Sequence, residues 1–271
     1  MPSRRTALLI LLSLPALSFI ALPLLSLLAR AELTRFTTSV CCGEVASALS
    51  LSLISAGVAA VVVLIIGTPA AYLLAYGRFR GKRVVDSLVD LPIVLPPAVA
   101  GVALLMAFGT SGVIGEHLQV LGIRVTYTTV AVVMAQVFVS CPFYIRQARI
   151  GFQNVPPPLI MASRTLGASQ LRTFRRVTLP LAWHALVAGL IMAWARAIGE
   201  FGATIMFAGN LEGVTRTMPL AIYSLLLYEN KPAAAIILSL TLVVVSFLVM
   251  VATRLLLGSE TKAHDPTLVT A

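Results

Sequence analysis

Charged positions divide this chain into long apolar blocks separated by short basic segments. A helix that crosses about 30 Å of hydrocarbon needs about 20 mostly apolar residues. By that measure six segments read as spans, at about 6–29, 48–76, 88–108, 128–148, 182–208 and 233–257. Pro232 suits the first turn of the last one, where its missing N–H costs nothing. The pattern predicts an all-α integral membrane protein with a single transmembrane domain over residues 1–271. A loop at about 151–180 separates the fourth and fifth spans, and a short polar tail, expected to be disordered, covers 258–271.

The first block invites comparison with a secretion signal, because Arg4 and Arg5 precede it and Ala29-Arg30-Ala31 has the small-x-small shape of a cleavage site. Its run from Thr6 to Ala29 is about 24 residues, whereas a signal core is roughly 7–15, so it reads as a retained first span.

Loop charge sets the expected orientation. With the N-terminus inside, 14 basic residues fall on the inner side: Arg4, Arg5, Arg78, Arg80, Lys82, Arg83, Arg146, Arg149, Arg164, Arg172, Arg175, Arg176, Arg254 and Lys262. Only 5 fall outside: Arg30, Arg35, Arg124, Arg216 and Lys231. Cytoplasmic loops collect Lys and Arg, so both termini and the 151–180 loop are expected in the cytoplasm of a cell-membrane protein.

Composition agrees. Hydrophobic residues make up 59% and charged residues 11%, against roughly 25% charged in a soluble domain. The net charge of +10 is then a loop-orientation signal, and no nucleic-acid partner is implied. Cys41 and Cys42 are adjacent and Cys141 lies in a span, so neither a disulfide framework nor a metal site is indicated. His117, His184 and His264 match no metal-ligand spacing.

The basic loop has internal order. Leu159, Ile160, Ala162, Ser163 and Leu166 recur at helical spacing, and Gly167 follows where a helix end calls for positive φ. A second helix is expected near Ser169, with Leu171, Phe174 and Val177 on one face and Arg172, Arg175 and Arg176 on the other, and Pro180 closing the unit. Two readings are open from composition: a basic helix lying on anionic lipid, or a docking element for another protein.

Chemistry-bearing residues within the spans are few. Pro92, Pro96 and Pro97 interrupt the third span, as a kink at its start or as a bend lining a pathway. Arg196 and Glu200 in the fifth are four apart and share a helical face. Charges at that depth face the bundle interior or water. They act either as a structural pair or as part of a gate with Gly199, Gly202 and Thr204, where Arg196 attracts an anion. No phosphate-binding loop is present, since Gly81-Lys82 is followed by Arg83. No nucleophile–base or metal constellation exists, so no catalytic residue is assigned and a membrane enzyme is disfavoured. An ion-driven secondary anion transporter, with Glu200 and Asp90 as carriers, is the alternative to a transporter powered by a partner chain.

Ala162, Gly167, Val177, Leu179 and Pro180 resemble the cytoplasmic "EAA" loop of importer permeases in the ATP-binding cassette family. The family spacing from Gly167 to Val177-Thr178-Leu179-Pro180 is kept, whereas Met161 replaces the usual Glu and Ser163 the second Ala. "DLPIVLPPAVAGVALLMAFGTSGVIG" (Asp90 to Gly115), "ARAIGEFGATIMFAGN" (Ala195 to Asn210) and "TRTMPLAIYSLL" (Thr215 to Leu226) resemble the oxyanion importers for sulfate, molybdate and tungstate, most closely the molybdate branch. The resemblance covers roughly residues 45–257. It implies a permease subunit that is not itself an enzyme and works as a homodimer. It also implies two cytoplasmic ATPase subunits that carry the ATP and Mg, and an outer substrate-binding protein. This chain would bind no cofactor. In that family the loop's short helix sits in a cleft of the ATPase, which makes Met161, Ala162, Ser163, Gly167, Val177, Leu179 and Pro180 the coupling residues. Pro96, Pro97, Arg196, Gly199, Glu200, Gly202 and Thr204 are the expected path and gate. The outer loops carry Arg30, Arg35, Arg124, Arg216 and Lys231 against Glu32, Glu44, Glu116, Glu212 and Glu229, close to neutral, so selectivity is expected in the separate binding protein.

Overall fold

The computed structural model describes residues 4–30 and 43–257. Cys41, Cys42, Glu32, Arg35, His264 and the tail from Gly258 lie outside the described residues. All the regular structure in the described residues is helical. Five helices are long and apolar enough to cross a membrane, and a sharply bent helix pair makes up to six.

α1 (Arg4–Ala29) stands at the edge of the molecule. From Leu12 onward none of its residues is fully buried, and it touches the bundle along the last helix. α2 (Gly43–Tyr76) is 34 residues long and runs beside α6 (Thr129–Gln153) and α9 (Leu179–Ile198). These three form the centre of the bundle. Val63, Ala71 and Leu74 of α2 meet Tyr144, Ile145, Ala148 and Phe152 of α6, and Ala182, Leu186 and Ala193 of α9. Small residues let the backbones approach, because lipid supplies no hydrophobic drive between helices and packing must do so. At Gly151 an added Cβ would sit 2.4 Å from the Ala185 Cβ. At Gly67 it would sit 2.7 Å from the Tyr144 ring, whose hydroxyl shares a 2.6 Å hydrogen bond with Thr68.

The expected third span at 88–108 is not one helix. α3 (Lys82–Val94) and α4 (Pro97–Phe108) meet at a 117° bend. Pro97 and Pro96 each force the preceding residue out of the helical region, and both Leu95 (ψ 134°) and Pro96 (ψ 134°) are extended. Pro97 then takes the first turn of α4, where no donor is needed. α3 buries no residue and is tied to the end of α6 by Arg146–Asp90 at 2.7 Å and by an Arg149–Asp86 ion pair. α4 is 12 residues long, about 18 Å, too short to span alone. It leads through α5 (Gly115–Val120) into α6.

The expected fifth span at 182–208 is also revised at both ends. Its helix starts at Gln170 and runs unbroken to Ile198. It then stops, and the short α10 (Gly202–Phe207) follows after a break. The apolar but short α11 (Met218–Leu227) folds onto α2 and α12 (Pro232–Leu257), with the Met218 amide donating to Ser52 Oγ at 2.7 Å.

Glycine packing at the α6–α9 contact is directly testable. Gly151→Ala forces α6 and α9 apart and is expected to cost about 1–3 kcal/mol. Gly57→Ala, with nothing within 4 Å of the new Cβ, is expected to be neutral or to stabilise by up to about 1 kcal/mol. Thermal unfolding of the purified chain in detergent distinguishes the two.

Candidate functional site

The segment after α6 is built from two short helices that fold against each other. α7 (Pro157–Thr165) starts with proline in its first turn. It ends at Gly167, whose φ of +81° is open to glycine at little cost. The Gly167 amide donates to the Arg164 carbonyl at 2.9 Å and the Ala168 amide to the Ser163 carbonyl at 3.1 Å, a complete Schellman closure. Ser169 then caps α8 (Gln170–Thr173), its Oγ accepting from the Arg172 amide at 3.3 Å. Across the fold, Ser163 Oγ and Thr173 Oγ1 share a hydrogen bond at 3.0 Å.

Pro180 does not close this unit. α8 passes through a π turn at Phe174–Thr178 directly into α9, with the Leu179 amide donating five residues back to the Phe174 carbonyl. Pro180 has no N–H for the Arg176 carbonyl, and the wider turn gives its ring room without ending the helix. Phe174 locks the segment to the bundle, with its ring centroid 5.1 Å from Tyr72 and 6.1 Å from Phe152, and Tyr76 donates to the Phe152 carbonyl. Any push on α7 or α8 is therefore delivered to α9 by continuous backbone.

The coupling residues expected from the sequence are distributed over this surface. Met161 and Ala162 are exposed, and Ser163 is half-buried. Val177 and Leu179 are partly buried and Pro180 is exposed. A groove of about 550 Å³ between α7 and the α8–α9 helix includes Ser163, Val177 and Pro180 together with Leu159, Leu166 and Arg172. Leu159, Met161 and Leu166 leave large apolar side chains in the open at 47%, 65% and 87% exposure.

The second group gathers where α9 breaks. Glu200 lies in the break itself, 1% exposed. One carboxylate oxygen, Oε2, pairs with Arg196 Nη1 at 2.8 Å, and the other, Oε1, accepts from the Ala203 amide of α10 at 2.8 Å. A single side chain thus joins the end of one helix to the start of the next. Gly202 sets this junction against α4, since a Cβ there would lie 2.7 Å from the Pro97 Cβ. Gly101 of α4 is equally tight, 2.6 Å from the Met206 Cβ. The structure therefore brings Pro97 of one broken helix against Gly202 of the other, 105 residues apart in the chain, while Glu200 joins Arg196 to the Ala203 amide and no contact of Pro96 or Gly199 with the facing helix is seen among the described residues. Thr204 is fully buried, and its hydroxyl has no hydrogen-bond partner.

Sequence reasoning missed Gln136. It is 0% exposed in the middle of α6, and neither its amide oxygen nor its nitrogen has a partner. Its neighbours along α6, Val132, Ala135 and Val139, pack with Ala203 and Phe207, which places it beside the break. A lone Gln inside an apolar run was the available signal, since burying an amide without partners costs at least about 1 kcal/mol. Arg216 was also undervalued. It pairs with Glu229 at 3.1 Å and Glu212 at 3.6 Å, pinning the loop before α11 to the loop before α12. The Lys231 hydrogen bond, and more weakly the charges of Lys231 and Arg216, hold the Glu229 carboxyl below its ordinary range against a burial that pushes it up.

The fold and the two sites define a membrane-embedded transport component. Over residues 64–258 the chain matches the family of binding-protein-dependent transport system inner membrane components, and it belongs to that family. It is 41% identical over 254 residues, 92% of this chain and 96% of the relative, to the molybdenum transport system permease protein ModB of Mycobacterium tuberculosis. It is 38% identical over 199 residues to the sulfate transport system permease protein CysT of Salmonella typhimurium, covering 73% of this chain and 72% of that one. Its fold is that of a chain in a bacterial ABC transporter involved in alginate import, with a TM-score of 0.75 at 16% identity, covering 95% and 97% of the two chains.

The Arg196–Glu200 pair is asymmetric, and its variants should differ accordingly. Arg196 is 30% exposed and can be hydrated if its partner is lost, whereas Glu200 cannot. Arg196→Met strands a buried carboxylate and is expected to cost up to about 3 kcal/mol, the low end for a broken buried pair. Glu200→Gln keeps an acceptor for the Ala203 amide and is expected to cost less than half of that. Thermal melts of both variants in the same detergent give the comparison.

Proposed function

We propose that this chain is the membrane-spanning permease subunit of an ATP-driven importer of tetrahedral oxyanions, with molybdate the foremost substrate. The observation that carries the reading is mechanical: α8, capped by Ser169 and hydrogen-bonded to α7, continues without a break into α9, which ends at the Glu200 junction. The similarity to molybdate and sulfate permeases supports the substrate class.

Two copies of this chain pair in the membrane, and each presents its 157–178 segment to one cytoplasmic ATPase subunit that holds ATP and Mg. An outer binding protein delivers and selects the oxyanion. Both termini lie in the cytoplasm, the side that receives most of the Lys and Arg. ATP-driven closure of the ATPase pair moves α7 and α8, and α9 carries the motion to the gate at Gly199–Gly202, where α10 and α4 move as a packed pair. This is a shift between two bundle states biased by a partner. Arg196 faces the path and offers a cation to the passing oxyanion, while Glu200 holds it in place. Met161 stands where the family uses Glu, so docking here relies on apolar contact from Leu159, Met161 and Leu166.

Vesicles containing this chain, its ATPase and a molybdate-binding protein should accumulate molybdate only with hydrolysable ATP inside. Accumulation driven by a proton or sodium gradient without ATP would replace this reading with a secondary transporter. Gly167→Val puts a β-branched residue at positive φ and breaks the helix closure. It is expected to lower ATP-coupled uptake at least tenfold while the bundle still inserts and purifies. A cysteine placed at Ser169 should react with an impermeant thiol reagent only after the membrane is opened, and labelling from outside intact cells would sink the orientation.

A further inference from the structure

Two grooves of opposite character meet at Leu171. The first, about 610 Å³, is apolar and runs along α2, lined by Leu64, Ile65, Pro69 and Tyr72 with Leu171 and Phe174 opposite. The second, about 290 Å³, is basic and lined by Ser169, Leu171, Arg172, Arg175 and Arg176. Leu171 belongs to both, and it is 59% exposed.

The arginines of the second groove differ from the other basic residues of this side in lining one carboxylate-free groove together; Arg78, Arg80, Lys82, Arg83 and Arg164 likewise have no carboxylate partner among the described residues. Arg146 and Arg149 are neutralised by Asp90 and Asp86. Arg172, Arg175 and Arg176 are exposed and have no carboxylate partner among the described residues. They lie within about one turn of helix and together offer guanidinium donors to an anion. The adjoining groove sits on the outer flank of a span whose apolar character suits it to lipid. From Leu64 to Tyr72 it extends about 12 Å along the helix axis. An occupant that satisfies both halves has a phosphate at one end and a hydrocarbon chain at the other.

We propose that this composite groove binds an anionic phospholipid, with its headgroup phosphate on Arg172, Arg175 and Arg176 and an acyl chain against α2 between Leu64 and Tyr72. Basic pockets beside cytoplasmic helix ends suit such headgroups. The leaflet assigned to the lipid rests on the orientation proposed above, whereas the site itself does not. Arg172 and Arg176 also line the groove under α7, while Arg175 and Leu171 line only the lipid groove. Lipid and partner protein therefore share one helix on two flanks, and a bound lipid fixes the height of α8 at the membrane surface.

The test uses the purified full-length chain in detergent, equal amounts of dioleoyl phosphatidylglycerol and dioleoyl phosphatidylcholine, and native mass spectrometry. Phosphatidylglycerol should be retained preferentially. Arg175→Gln should lower the phosphatidylglycerol-to-phosphatidylcholine ratio about fivefold, the effect of one basic residue near a lipid surface. Arg175→Lys should keep most of the preference. A phosphatidylglycerol carrying a photoreactive acyl chain should crosslink within residues 64–72. An unchanged ratio in Arg175→Gln, crosslinks only elsewhere, or equal competition by inorganic phosphate would each overturn the proposal. An Ile65→Trp variant that shifts the oligomeric mass rather than lipid retention would assign the groove to a second copy and do the same. The readout needs neither ATP nor transported anion, so its failure leaves the transport reading standing, and failed uptake leaves the lipid site standing.

Discussion

Backbone inside an apolar bundle has no water to fall back on, so every interruption of a helix must be closed by the protein itself. This chain interrupts two apolar helices. The break after Ile198 is closed by Glu200, which reaches back to Arg196 and forward to the Ala203 amide. The bend at Leu95 and Pro96 is closed by making the missing donors prolines and by starting α4 at Pro97. The two interruptions are then pressed together, with no space for a side chain between Gly202 and Pro97. The rest of the architecture is arranged around that contact. α6 packs behind it, carrying the unpartnered amide of Gln136, and α9 leads into it from the other end of the molecule.

A contact of this kind is well placed to have two states. Packed cores shift between discrete arrangements rather than deforming smoothly. Gln136 and Thr204 are both fully buried with unused hydrogen-bonding groups. Groups held in that condition cost stability in the observed arrangement and leave it room to be exchanged for another. The other end of α9 has the opposite design. There the Schellman closure at Gly167, the Ser169 cap, the Ser163–Thr173 bond and the aromatic cluster around Phe174 all favour a single geometry. A stiff handle joined by uninterrupted helix to a marginal junction is the arrangement a transmitted motion needs.

The loops flanking α11 hold most of their charge in pairs. Arg216 is consumed by Glu229 and Glu212, and Lys231 by Glu229. These pairs tie the loop before α11 to the loop before α12.

Much of this was legible in the residue pattern, and for a plain reason. Lipid imposes about 20 apolar residues per crossing, so the long apolar helices are written in composition, five of them and up to six with the bent pair, whereas the 117° bend and the break after Ile198 are not. Capping is equally local: Gly167 at positive φ and Ser169 at a helix start depend on a few neighbouring atoms. The same reading misjudged Pro180, because whether a proline ends a helix or sits in a π turn depends on what holds the flanking turns, here Phe174 against Tyr72 and Phe152. It placed Arg196 and Glu200 on one helix, whereas Glu200 lies past the helix end and caps the next one. It could not bring Pro97 to Gly202, since a contact across 105 residues has no local signature. The chain by itself determined which segments are long apolar helices and where Gly167 and Ser169 end and start the short ones. Only the tertiary structure decided which interruptions meet, because that choice is made by the fit of small residues between helices, and fit is a property of surfaces rather than of sequence.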